Sequence, residues 1–159
     1  MDSRRTLAFS SLAEIMPEVD RLLTGYEKRG QWSLGQICNH LGLAMQHTLE
    51  GFPTSFPWLV RKLIGPIARR EIFRTGSMRT GLPIPTKVTP RPELDDRAEA
   101  EALRATIHFF LAAPGPLAPH PLLGQLTTAE WHRFHCIHSA HHLSFLQGNP
   151  SRTSPSVEK

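Results

Sequence analysis

Cysteine is scarce in this sequence, with two among 159 residues. Cys38 and Cys136 stand far apart and neither sits in a CxxC pair, so a cysteine zinc finger is excluded and a disulfide between them is not expected. No run of about 18 apolar residues occurs, so no membrane-spanning helix is expected. The opening MDSRRTLAFSS is basic but lacks the apolar stretch of a signal peptide, which points to the cytoplasm. A glycine-rich phosphate loop is missing as well: TGSMRTG is too short and lacks the P-loop lysine. Strand-like alternation and internal repeats do not stand out.

What remains is ordinary globular material. Hydrophobic residues make up 40% and charged residues 20%, in the range of a chain that buries one core. The net charge of +4 is small, but residues 56–79 concentrate Arg61, Lys62, Arg69, Arg70, Arg74 and Arg79 against Glu71 alone. Such a run is first of all a solvated face, and it can also line the entrance for an anionic substrate. No helix-turn-helix or RNA-binding signature accompanies it, so no nucleic acid is expected as a partner.

Four main helices are legible. Ser11 with Glu14, Ser33 with Gln36, and Thr127 with Glu130 each have capping-box spacing. The first helix follows SSLAEIMPEVDRLL, where Pro17 marks either a kink or the true start. The second is WSLGQICNHLGLAMQHTLEG, with Leu34, Ile37, Cys38, Leu41, Ala44 and Met45 as its apolar stripe. Residues 53–79 read as one or two short basic helices interrupted at Gly65-Pro66. There Trp58, Leu59, Ile64 and Ile67 are expected to cap the core, the alternative being an oligomer or membrane-surface contact. The proline-rich TGLPIPTKVTPRP leads to the third helix, ELDDRAEAEALRATIHFFLAA, with Leu94, Ala98, Leu103, Ile107, Phe110 and Leu111 on its apolar side. The fourth runs from Thr127 to Gly148. The expected architecture is all-α, a four-helix bundle over residues 1–147 with an extended basic and Pro-rich connection between helices two and three. A disordered tail is expected over 148–159.

Histidine is where the sequence departs from the ordinary. Five of nine fall within EWHRFHCIHSAHHLSFLQ, residues 130–147. At ~100° per residue, His135, His138 and His142 share a stripe with Trp131, Phe145 and Leu146, while His132 and His141 fall at its rim. A lone histidine on a core stripe is usually structural, but three imidazoles bring six ring nitrogens that need partners. A divalent cation partners several rings together. His138 and His142 at i, i+4 reach one ion, as can His135 and His138 at i, i+3. A third ligand must come from another element. His40 on the flank of helix two ranks ahead of His47, His108 and His120.

The segments WSLGQICNHL (32–41), GLPIP (81–85) and HPLLGQLTTAEWHRFHCIHSAHHLSFLQ (120–147) resemble a domain of unknown function within the DinB-like superfamily of four-helix-bundle metalloenzymes. The resemblance implies a metal centre of His40, His138 and His142 holding zinc, nickel or a similar divalent transition metal, with a coordination position left open. It also implies a thiol-dependent transferase or isomerase, or a hydrolase, using a low-molecular-weight thiol. LSFLQ lacks a glycine found in the superfamily after the second histidine, and His135 is added, so the pair His135 with His138 stays open. With His138 and His142 as ligands, His135 is expected either to support the ligands from behind or to act as a general base one turn away. A small-molecule substrate and a homodimer are the expected partners, without membrane insertion. The competing reading is a non-enzymatic helical binding or oligomerisation module whose histidines are structural.

Overall fold

The computed structural model describes residues 4–80 and 89–149. Six helices are present among them: α1 (Ile15–Leu23), α2 (Leu34–Glu50), α3 (Trp58–Leu63), α4 (Gly65–Thr75), α5 (Asp96–Ala112) and α6 (Thr128–Leu143). Two short strands, β1 (Tyr26–Lys28) and β2 (Leu146–Gly148), pair antiparallel, Tyr26 opposite Gly148. The protein is thus mostly helical. The middle of the proline-rich connection (81–88) and the end of the expected tail (150–159) lie outside the described residues.

Local chemistry explains most helix boundaries. The Ser33 hydroxyl accepts the Gln36 N–H and the Gln36 side chain accepts the Ser33 N–H, a complete capping box. Thr127 and Glu130 repeat it at the start of α6. Asp95 caps α5 by accepting the Ala98 N–H at 2.7 Å. The third expected box fails: the Ser11 side chain makes no cap bond, because the chain enters through a 3-10 turn at Leu12–Glu14. Glu14 instead accepts the Ser10 N–H at 3.0 Å. Pro17 therefore falls in the first turn of α1, where its missing N–H removes no helical bond, and the alternative of a kink is set aside.

The core gathers Ile15, Val19 and Leu22 of α1, Leu34, Ile37 and Leu41 of α2, and Leu103 of α5, all at most 1% exposed. Each such side chain contributes about 1.5–3 kcal/mol of burial. Helix α2 packs chiefly on α5 and also on α6. Its entry is pinned by Asp96, whose carboxylate accepts the Gly35 N–H at 2.6 Å and the Tyr26 hydroxyl at 2.8 Å. A Cβ on Gly35 would stand 3.0 Å from the Asp96 carboxylate and 3.1 Å from the Leu94 carbonyl, so a larger residue would push on the junction that holds α2. This junction fixes the rotation of α2 about its axis, and with it the direction of His40.

Three expectations need correction. Helix α6 ends at Leu143, not Gly148, because Leu146–Gly148 leave the helix to pair with β1. Gly148 and Asn149 thereby belong to the fold and not to a tail; the Asn149 N–H donates to the Gly25 carbonyl at 3.0 Å. On α5 the buried side is Ala100, Leu103, Ile107 and Phe110, whereas Ala98 and Leu111 face solvent. Trp58, Leu59, Ile64 and Ile67 do not cap the core: all are at least half exposed. Gly65-Pro66 does split the basic segment into two helices, as expected, with Pro66 in the first turn of α4. Cys38 and Cys136 are buried free thiols, and no helix among the described residues is long and apolar enough to cross a membrane.

Candidate metal centre

Two helices bring three imidazoles together. His40 projects from the first half of α2, and His138 and His142 stand one turn apart on α6. The Nε2 of His138 lies 3.1 Å from the Nε2 of His40 and 3.1 Å from the Nε2 of His142. The ligand atoms of the three residues all lie within 4.8 Å of one another, and they can hold a metal ion. Metal–nitrogen bonds of about 2.0–2.1 Å place two ligand nitrogens roughly 2.9 Å apart at a right angle and roughly 3.4 Å at the tetrahedral angle. The observed 3.1 Å falls between these limits.

The protonation state suits a metal too. Burial, then the neighbouring His142 and His40, holds His138 well below the ordinary histidine value. Burial, followed by His40 and His141, takes His142 down to about 2. Both rings are neutral near pH 7, with lone pairs available to an ion. Hydrogen bonds alone serve this cluster poorly. The His138 Nε2 faces two other ring nitrogens, and one N–H or one lone pair cannot satisfy both contacts well. A divalent ion satisfies all three nitrogens together. The donor set is three neutral imidazoles, which suits zinc, nickel, copper or iron better than calcium or magnesium. One feature differs from most histidine metal sites: the buried His138 Nδ1 has no hydrogen-bond partner, where a carboxylate or carbonyl usually orients the ring. Packing does that work here, with Phe134 at a centroid distance of 5.8 Å and His40 and His142 edge-on.

Trp32 closes one wall. Its ring stacks on His142 at 5.4 Å and 15° and tilts over His40 at 5.1 Å. It sits immediately before the Ser33 cap, so the capping box that starts α2 also positions this wall. Sequence reasoning passed over Trp32. The available signal was its place one residue ahead of a strong cap and eight residues before His40.

The structure separates His135 from the cluster. It is 1% exposed, and its Nε2 lies 3.1 Å from the Thr48 hydroxyl. That hydroxyl donates to the Ala44 carbonyl at 2.9 Å, so it accepts from His135 Nε2–H. The pairing of His135 with His138 is therefore set aside: the imidazole nitrogen that would bind a metal is engaged with Thr48. Burial, then His120 and His132, pushes His135 down to about 3, and Trp131 stacks on it at 5.3 Å.

The remaining histidines lie elsewhere. The His120 Nδ1 accepts the N–H groups of Leu122 and Leu123 at 3.1 and 3.0 Å, a side-chain cap inside the connection before α6. Burial lowers its pKa to about 4. His47 packs on Phe52, and His108 is exposed. His132 and His141 hold the rim positions expected of them, half-buried beside Phe110 and Phe145.

Residues 1–149 match the model of a family described as a protein of unknown function, DUF1569. Comparison with curated proteins and with solved structures gives no match.

Proposed function

The chain belongs to DUF1569, a family of unknown function, and we propose that it is a divalent-metal-dependent enzyme built on the His40, His138 and His142 centre. The convergence of three neutral Nε2 atoms from two helices carries this reading. The helices α1, α2, α5 and α6 are read as a DinB-like four-helix bundle, with α3 and α4 as the elaborated connection. Zinc or nickel is the ion of choice for three imidazoles. When bound, such an ion supplies Lewis acidity that lowers the pKa of a water or thiol and polarises a substrate carbonyl.

The chain's own groups do the rest. Trp32 covers the rings of His40 and His142 and keeps water from that side. His135 holds the turn of α6 that carries His138 by donating to Thr48, which favours a positioning role, the first of the two expected from the sequence, over that of general base. The reaction fitting this arrangement is transfer, isomerisation or hydrolysis of a small substrate, with a low-molecular-weight thiol as the candidate co-substrate. A cytoplasmic homodimer is the working assembly.

Metal analysis of protein prepared without a polyhistidine tag tests the reading. About one equivalent of zinc or nickel is expected. His138→Ala should lose it while retaining the fold by circular dichroism, and His135→Ala should keep it. A metal-free wild-type protein that also fails to take up added zinc would leave the histidines as structural groups.

A further inference from the structure

Residues 51–70 contain neither Asp nor Glu, and α3 and α4 occupy most of that stretch. The inner side of this helix pair is fixed to the body of the protein. Gly65 is buried, and a Cβ there would lie 2.5 Å from the Leu122 carbonyl. Arg69 is paired with Glu130 of α6. The outer side is unusual for a surface helix pair. Trp58 is 68% exposed, Leu63 57% and Ile67 65%, with Leu59 and Ile64 between them. Lys62, Arg70 and Arg74 share this exposed side, and none forms an ion pair among the described residues. The Lys62 Nζ lies 5.0 Å from the centroid of the Trp58 ring. The one acidic residue within α3 and α4, Glu71, is held by Arg79 at 2.9 Å.

We propose that the outer face of α3 and α4 is a docking surface for an anionic lipid bilayer. Exposed Leu and Ile supply the apolar area that enters the headgroup boundary. Trp58 is the side chain that prefers that boundary, and the uncompensated cations meet anionic headgroups. A second copy of the chain fits less well, since a symmetric contact through this face would set Lys62, Arg70 and Arg74 against their own duplicates. The bilayer contact is peripheral, and it is independent of the histidine centre.

Vesicle flotation with the full chain tests this. Vesicles of phosphatidylcholine and phosphatidylglycerol at about 7:3 should bind the protein and shift the Trp58 emission to the blue, while pure phosphatidylcholine vesicles should bind weakly. The triple variant Lys62→Gln, Arg70→Gln, Arg74→Gln should weaken binding roughly 100-fold, from the contribution of each basic residue near an anionic surface. Leu63→Glu with Ile67→Glu should abolish it. Both sets change exposed side chains, so the thermal midpoint and the metal content should match wild type. Equal binding to neutral and anionic vesicles, or binding unaffected by either variant set, overturns the proposal. So does a wild-type dimer that Leu63→Glu with Ile67→Glu converts to monomer without vesicle binding in either form, which assigns the face to a second copy.

Discussion

Helix α6 and the α3–α4 pair invert the usual relation between polarity and burial. Helix α6 carries five histidines and is buried on most sides: Trp131, Phe134, His135, Cys136, Ile137, Ser139, Ala140, His142 and Leu143 are all inside. The α3–α4 pair carries Trp, Leu and Ile, yet only Gly65 is buried. Hydropathy alone would exchange the two. A buried imidazole costs little when its nitrogens have partners: His135 has the Thr48 hydroxyl, and the Nε2 atoms of His40 and His142 each lie 3.1 Å from that of His138, where an ion could be held. An exposed Trp or Ile is tolerated when it has a surface to meet.

The contrast breaks most sharply at the two tryptophans. Trp131 is 0% exposed and stacks on Phe52 at 6.1 Å as well as on His135. Trp131→Ala removes a large buried ring and leaves a cavity under the histidine segment, a loss of about 3–5 kcal/mol. Chemical denaturation should show a large fall in the midpoint with an unchanged slope. A loss below about 1 kcal/mol would mean that α6 is far less enclosed than described.

The helix boundaries at Ser33 and Thr127 were legible because a capping box is local: four consecutive residues decide it. The HxxxH spacing of His138 and His142 is local for the same reason. His40 was legible from its flank position and from the family resemblance. What the sequence left open depends on contacts between distant segments. The choice between His135 and His142 turned on Thr48, 87 residues away. The early end of α6 turned on pairing with Tyr26–Lys28, which three-residue strands do not announce by alternation. The face of α3 and α4 was misassigned because amphipathic patterning shows that an apolar side exists, not what it meets. In α6 the wheel put His138 and His142 on one stripe, where the structure also brings them together, but its outer side is buried too, so a single stripe understated the enclosure.

A pH series sharpens the same comparison with a smaller effect. His120 sits against Trp131 and Phe134, and burial depresses its pKa from 6.5 to about 4. Its neutral Nδ1 must accept two backbone N–H groups, so protonation costs both contacts. Between those values the unfolded chain takes up a proton that the folded chain refuses. Stability from this group is therefore complete above pH 6.5 and is lost as pH falls towards 4, by roughly 3 kcal/mol across the window. His120→Asn keeps an acceptor for the two N–H groups and removes the titration. Urea unfolding at pH 7 and pH 4.5, with chelator present throughout, should show a smaller acid-induced loss in the variant. Equal losses in the two proteins would mean that His120 is not held neutral by its surroundings.

The smallest effect is expected at the other tryptophan. Trp58 is 68% exposed, and its one described partner is the Lys62 ammonium. An exposed cation–π contact contributes about 0.5–1 kcal/mol at most, and part of that is regained when Lys62 returns to water. Trp58→Ala should thus change stability by no more than about 0.5 kcal/mol in denaturant, the range of an ordinary surface substitution. The same change in Trp131 should be several times larger, although both remove one indole. A loss at Trp58 approaching that at Trp131 would show that α3 is packed in solution, by its own chain or by a second copy, and would remove the exposed face on which lipid docking depends.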